Sequence, residues 1–225
     1  MYAFDYKTAI HPNCGKEVQI HKDIVITPFY TEKFCDQLLK MAKFYDNKFS
    51  PYIVYSKDTP QQKVDNSPWD TLFISRMSHL FFEEFCNHYK NYLCPILEKH
   101  FKPMMVTGWF SPMIIRYSRK GQLVELHNDT SDFTFNLKLN TDYEGSVLEF
   151  PRQNWDNKKV PKGWCYVWPS RATHPHRSTP LIKGSKYTLA SWTHPIAWSP
   201  AEMGGSIYRI KPFFYKKKGP IPNEI

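Results

Sequence analysis

The chain has 225 residues, 41% hydrophobic and 16% aromatic, which excludes a disordered or low-complexity protein. Thirty basic residues against 21 acidic ones give a net charge of +9. Five cysteines, at 14, 35, 86, 94 and 165, are odd in number and contain no Cys-x-x-Cys pair, so a reducing compartment is expected rather than a disulfide framework or a zinc knuckle. A single domain of this length buries roughly 70% of its unfolded surface and needs no covalent or metal staple. No apolar run reaches the roughly 18 residues of a membrane span. Met1 to Lys7 lack the charged-then-apolar texture of a secretory leader, which leads to the expectation of a cytoplasmic protein, microbial or viral in origin.

In chain order, Phe34, Leu38, Met41 and Tyr45 fall at helical spacing, with Cys35, Leu39 and Ala42 beside them, and predict an amphipathic helix over 31–45. Residues 46–67 are polar and irregular, a loop by composition. Ser67-Pro68-Trp69-Asp70 has the chemistry of a helix start, and the predicted helix runs through Phe73, Met77, Leu80, Phe81, Phe85, Tyr89 and Leu93 until Pro95 kinks or breaks it. From Met104 the texture turns to strand: 114–117, 133–139, 147–150, 164–168 and 186–192 are short, aromatic or branched, and separated by turn residues. In 133–139, Phe133, Phe135, Leu137 and Leu139 alternate with Thr134, Asn136 and Lys138. The expectation is one α+β domain over 1–225. It comprises a helical layer at about 28–101, a mainly β core at about 104–195 folded as a jelly roll (double-stranded β-helix), and a basic tail at about 205–225. The tail, with Arg209, Lys211, Lys216, Lys217 and Lys218, reads either as a solvated end or as an attraction for an anionic partner such as nucleic acid.

Two His-x-Asp pairs are present, His21-Lys22-Asp23 and His127-Asn128-Asp129. The first precedes Ile24-Val25-Ile26 without a suitable partner nearby and reads as a surface strand or turn. The second lies between strand segments, and His174-Pro175-His176 follows about fifty residues later beside another strand. Two ligands at i and i+2 share a strand face, and a third from a distant strand closes a triangle around a metal. Two histidines and a carboxylate form the facial triad of non-haem Fe(II) oxygenases, and the same set also serves hydrolytic zinc. Downstream, Lys186, Thr188 and Ala190 alternate onto one face, so an ammonium and a hydroxyl both look inward. An ammonium in an apolar interior needs an anionic partner, which a dicarboxylate cosubstrate would supply.

These residues carry a family resemblance. His127-x-Asp129 followed by the run from His176 to Lys186 resembles the 2-oxoglutarate/Fe(II) dioxygenases of the prolyl and procollagen-lysyl hydroxylase group. The stretch from Phe29 to Leu38, the pair Arg116-Tyr117 ten residues before His127, and Phe133 to Leu137 followed by Tyr143-Glu144-Gly145 keep the same register. The resemblance implies iron ligands at His127, Asp129 and His176. It implies Lys186 paired with the far carboxylate of 2-oxoglutarate, and Tyr117 and Asn136 at positions that contact the cosubstrate. His174 with Lys183 is the competing assignment of the distal ligand and cation. His176 is preferred because Lys186 lies in a strand and Lys183 in a Gly-bounded loop. Two departures from lysyl hydroxylases are visible: lysine at 186 where they carry arginine and prolyl 4-hydroxylases carry lysine, and Glu144-Gly145-Ser146 where a Glu-Gly-Gly turn is usual.

The implied activity uses Fe(II), 2-oxoglutarate and O2, with ascorbate as an accessory, to hydroxylate an unactivated C–H bond with release of succinate and CO2. The implied acceptor is a peptidyl lysine or proline, with Trp109, Phe110, Trp155 and Trp168 available either to line a peptide groove or to pack the core. Rival readings are the same chemistry on a nucleic-acid base or a small metabolite, and an inactive jelly-roll binding module.

Overall fold

Lys22 and Asp23 adopt φ of 45° and 68°, the left-handed pair that matches strand twist in a two-residue hairpin. In the computed structural model, which describes residues 4–51, 68–101, 109–110 and 112–194, they join β1 (Gln19–His21) to β2 (Ile24–Pro28). The next element, α1 (Glu32–Phe44), starts at Thr31, whose hydroxyl accepts the Phe34 N–H at 3.3 Å. Its buried face is Phe34, Cys35, Leu38, Met41 and Ala42, as the spacing predicts.

The region after α1 departs from expectation. The described part of the predicted loop holds a short 3-10 turn at Asp46–Lys48 and then β3 (Ser50–Pro51). Residues 52–67, with Ser67 of the predicted helix start, lie outside the described residues. Asp70 opens a strand, β4 (Asp70–Phe73), in place of a first helical turn. The Asp70 carboxylate is buried and takes two guanidiniums, Arg116 Nη2 at 3.2 Å and Arg119 Nη1 at 3.1 Å, while its backbone registers opposite Arg116. Those tertiary partners outweigh the local capping signal. Helix then comes in pieces: α2 (Ile74–Met77), α3 (His79–His88), a π turn over Tyr89–Leu93 and α4 (Cys94–His100). Extended Ser78 separates the first two, and its hydroxyl caps α3 by accepting the Phe81 N–H at 3.1 Å. Pro95 breaks nothing. It falls at the second residue of α4, directly after the π turn, and the backbone on either side stays helical, so the expected irregularity is a widened turn rather than an end.

The remaining strands are β5 (Trp109–Phe110), β6 (Met113–Tyr117), β7 (Val124–His127), β8 (Phe133–Lys138), β9 (Tyr143–Gly145), β10 (Leu148–Phe150), β11 (Trp155–Asp156), β12 (Trp164–Pro169), β13 (His176–Ser178), β14 (Leu181–Gly184) and β15 (Lys186–His194). Among the described residues the main sheet runs β1-β2-β12-β8-β15-β6-β4-β3, with β5 on the end of β15. A smaller sheet runs β11-β10-β13-β7, and β14 pairs with β9. All these pairings are antiparallel. The helices cover one face of the main sheet, where Phe34, Leu38, Phe81, Phe85 and Tyr89 pack with Phe135, Leu137 and Leu189. The other face meets the smaller sheet through Tyr166, Trp168, Leu148 and Phe150. This is a jelly roll with a helical layer on one side. The basic tail lies outside the described residues.

Candidate active site

Strand pairing brings the two histidines together. On the antiparallel pair β7–β13, His127 stands directly opposite His176, and their rings approach to 4.4 Å between centroids. Asp129 lies two residues past the end of β7, in the following loop rather than on the strand face that i, i+2 spacing suggests. Its carboxylate reaches both rings, with Oδ1 3.4 Å from His127 Nε2 and Oδ2 3.5 Å from His176 Nε2. One potential ligand atom from each of the three lies within 4.8 Å of the others.

Backbone carbonyls fix how the imidazoles present themselves. His127 Nδ1 donates to Glu125 O at 2.8 Å, and His176 Nδ1 donates to His174 O at 3.0 Å. A carbonyl only accepts, so both Nδ1 atoms carry a proton and both Nε2 atoms face Asp129. Burial works to lower the His127 imidazole, but the carboxylate's hydrogen bond and charge, with the Glu125 carbonyl, raise it above its usual range. His176 is wedged between Phe150, stacked at 5.3 Å, and Trp168, edge-on at 5.1 Å. Burial pushes the His176 imidazole below its usual range and keeps it neutral. For Asp129, burial opposes ionisation, but the His127 hydrogen bond, the His176 ring and the Thr134 hydroxyl outweigh it and hold the carboxyl below its ordinary range. Thr134 Oγ1 donates to Asp129 Oδ2 at 2.5 Å, with Ser131 and Ser170 hydroxyls behind it at 3.0 and 2.7 Å. His127 is the solvent-facing member, its side chain 36% exposed against 5% for His176.

The competing histidine is committed elsewhere. His174 Nε2 donates to Lys22 O at 2.9 Å and its Nδ1 meets Thr173 Oγ1 at 2.8 Å, so it serves the β1–β2 turn and stands outside the cluster. Lys183, its sequence companion, is exposed.

Lys186 lies deep on the inner face, 4% exposed, opposite Tyr117 on β6. Its Nζ donates to Ser146 O at 2.7 Å and sits 4.9 Å from the Tyr117 ring centroid. Burial, then the charge of Lys138, pushes its ammonium down to about 7. A chain of contacts links this group to the His127–Asp129–His176 cluster: Ser146 Oγ meets Ser178 Oγ at 3.2 Å, and Ser178 is two residues from His176 on the same strand face. Asn136 is also on this face. Its Oδ1 accepts Tyr166 OH at 2.8 Å and the Thr188 hydroxyl, while Tyr166 OH accepts Asn157 Nδ2 at 2.8 Å. The departing turn has a backbone consequence. Gly145 takes φ of 78° with Pro180 O 2.2 Å from where a Cβ would stand, and Ser146 takes φ of 46°, a left-handed conformation that a serine adopts at a cost.

Several members of the site carry no signal in the sequence. Glu125 O and His174 O act through backbone, and Phe150 and Asn157 read as ordinary core or loop. Thr134 and Lys138 were visible only as the polar face of an alternating strand. Trp168 is buried at 1% exposure against His176, a packing role rather than a groove lining, and Trp155 packs against Phe150 and Tyr166. The side chains of Trp109 and Phe110 lie outside the described part of the structure.

No protein-family model matches the chain. Procollagen-lysine,2-oxoglutarate 5-dioxygenase 1 of Bos taurus is 30% identical over 204 residues, 83% of this chain and 27% of that protein. Human procollagen-lysine,2-oxoglutarate 5-dioxygenase 2 is 27% identical over 179 residues, 77% of this chain and 24% of that protein. The chain thus spans about a quarter of the length of these relatives. Among solved structures, a viral collagen prolyl hydroxylase from Paramecium bursaria Chlorella virus-1 superposes with a TM-score of 0.56 at 16% identity, covering 76% of this chain and 95% of that one. A prolyl hydroxylase from Trichoplax adhaerens, solved with a hypoxia-inducible-factor peptide fragment, gives 0.58 at 14% identity over 76% of this chain and 83% of its own. In sequence the chain is similar to the procollagen-lysine dioxygenases over about four-fifths of its length, and in architecture it has the jelly-roll fold of the 2-oxoglutarate/Fe(II) oxygenases.

Proposed function

We propose that this chain is an Fe(II)- and 2-oxoglutarate-dependent dioxygenase that hydroxylates an unactivated C–H bond of a peptidyl lysine or proline. The observation that carries the reading is the cluster of His127, Asp129 and His176, with both Nδ1 protons tied to backbone carbonyls and both Nε2 atoms turned to one carboxylate. Two imidazole nitrogens and a carboxylate oxygen are a donor set that would suit ferrous iron. The pocket also holds a buried ammonium, Lys186, for which no carboxylate within ion-pair distance is present among the described residues. A keto acid with a second carboxylate supplies that missing charge.

When bound, iron, 2-oxoglutarate and O2 supply the oxidising power, yielding succinate and CO2 with the hydroxylated product. The protein's own contributions are positional. Glu125 O and His174 O hold the ring orientations of the ligands, and Thr134 holds Asp129 through its hydroxyl. Phe150 and Trp168 keep water from the buried side of His176, while the exposed edge of His127 marks the side from which an acceptor approaches. Lys186 anchors the far end of the cosubstrate, and the Asn136–Thr188–Tyr166 hydrogen bonds rigidify the wall between the anchor and the metal.

A peptide acceptor is supported by the named relatives, which act on procollagen lysine, and by the structural neighbour solved with a peptide fragment. Lysine at 186 leans toward the prolyl enzymes, and sequence identity leans toward the lysyl ones. Purified protein given Fe(II), ascorbate, 2-oxoglutarate and a peptide library should release succinate and yield peptides heavier by one oxygen atom. Asp129→Ala should reduce both to background while the domain remains folded. Normal succinate release by Asp129→Ala refutes the assignment, and turnover confined to oligonucleotides, with salt-sensitive binding, overturns the peptide acceptor.

A further inference from the structure

The inner face of the main sheet holds two ammonium groups. Thr134, Asn136 and Lys138 alternate along β8; Thr134 touches Asp129 and Asn136 touches Thr188, so Lys138 shares the site-facing side. Its Cα partner on β15 is Thr188, two residues from Lys186 on the same face. The two lysines are therefore diagonal neighbours across one ladder, roughly 7–8 Å apart at their Cα atoms. Both are buried, at 6% and 4% exposure. Lys138 Nζ donates to Asn157 O at 2.9 Å and Lys158 O at 3.2 Å, whereas Lys186 Nζ donates to Ser146 O.

Charge in this compartment is one-sided. Among the described residues, Lys186 meets the Tyr117 ring and the Ser146 carbonyl, with the Ser178 hydroxyl behind Ser146, and none of these groups is charged. Asp129 stands at the metal end. Asp156, the carboxylate that acts on Lys138 from the loop side, is itself 3.5 Å from the Lys158 ammonium. Burial pushes Lys138 down to about 8, against the pull of Asp156, and Lys186 feels Lys138 on top of its own burial.

We propose that Lys138 is a second cationic determinant of cosubstrate choice, so that two ammonium groups rather than one select keto acids bearing a second carboxylate. The inference rests on the 2-oxoglutarate reading above. Lys138 stays tethered to the two carbonyls and acts on the far carboxylate through space. Two opposing effects follow from removing it: Lys186 is relieved of a like charge, worth at most a few-fold in affinity near neutral pH, and a carboxylate paired with Lys186 loses an attraction worth about tenfold or more for charges separated by roughly 8 Å at an effective dielectric of about 20. The second wins. Because Lys186 is only partly charged before a dianion arrives, binding also takes up a proton, and less of one once Lys138 is neutral.

The test is anaerobic calorimetry on the Fe(II)-loaded protein, with 2-oxoglutarate and with 2-oxopentanoate, which has the same carbon chain but no far carboxylate. Lys138→Gln keeps a donor for the carbonyls and removes the charge; Lys138→Arg keeps both. Expected are a loss of about tenfold or more in 2-oxoglutarate affinity for Lys138→Gln and less than about twofold for 2-oxopentanoate. Fe(II) affinity should be unchanged, proton uptake from the buffer dependence of the heat should fall, and Lys138→Arg should bind near wild type. Unchanged 2-oxoglutarate affinity in Lys138→Gln, with Lys186→Met losing it, makes Lys138 a tether only and overturns the proposal while the parent reading stands. Equal weakening toward both keto acids also overturns it, as general damage to the pocket. Absence of 2-oxoglutarate binding by the wild-type Fe(II) protein removes the parent reading and this one together.

Discussion

The two faces of β8 are both buried, yet they are built from opposite chemistry. Toward the helices, Phe135 and Leu137 are fully buried among Phe29, Phe85, Tyr89 and Leu189. Toward the smaller sheet, Thr134 and Lys138 are 2% and 6% exposed, and every polar atom they present has a named partner. The first face is what a fold of this size needs in order to exist. The second gains nothing from the hydrophobic effect and costs desolvation at each position. A strand that buries a threonine and a lysine, with a half-buried asparagine between them, gives up stability for a polar site.

Adjacent substitutions should separate the two faces most sharply. Phe135→Ala should cost about 3–5 kcal/mol of folding stability, read by denaturant melts, and leave metal affinity of the folded fraction unchanged. Thr134→Val should cost less, about 1–3 kcal/mol, because Asp129, Ser131 and Ser170 lose a shared hydroxyl. It should nonetheless weaken metal binding by about 10–100-fold. If the two variants showed the same pattern, the division between the faces would be wrong.

A smaller effect tests the cost of the polar face directly. Lys186 is held near 7 when folded, against roughly 10.4 in an unfolded chain. Between those values the unfolded chain holds a proton that the folded one lacks, so wild-type stability rises with pH, and below 7 the full penalty applies. Lys186→Met should accordingly melt a few degrees above wild type at pH 6, with the gap narrowing steadily toward pH 10. A gap independent of pH would place the ammonium in water.

What the sequence made legible follows from which interactions are local. α1 was readable because its apolar spacing and Thr31 cap are contained in one stretch, and β8 because alternation has a period of two. The three clustered residues were readable because few arrangements of histidine and aspartate repeat that spacing beside strands. The segment around Asp70 was misread because Ser-Pro-Trp-Asp has cap chemistry, whereas Arg116 and Arg119, more than forty residues away, supply what decides its conformation. At the site, the carbonyls of Glu125 and His174 that orient the rings leave no mark on residue identity, and the nearness of Lys138 to Lys186 emerges only once β15 is placed beside β8.

The central claim is that His127, Asp129 and His176 hold one divalent ion between them. Anaerobic titration of the purified chain with Fe(II) tests it most directly: the account predicts one ion per chain, lost in both Asp129→Ala and His176→Ala and retained in His174→Ala. Equal affinity in Asp129→Ala and wild type, or loss in His174→Ala with His176→Ala unaffected, would contradict it.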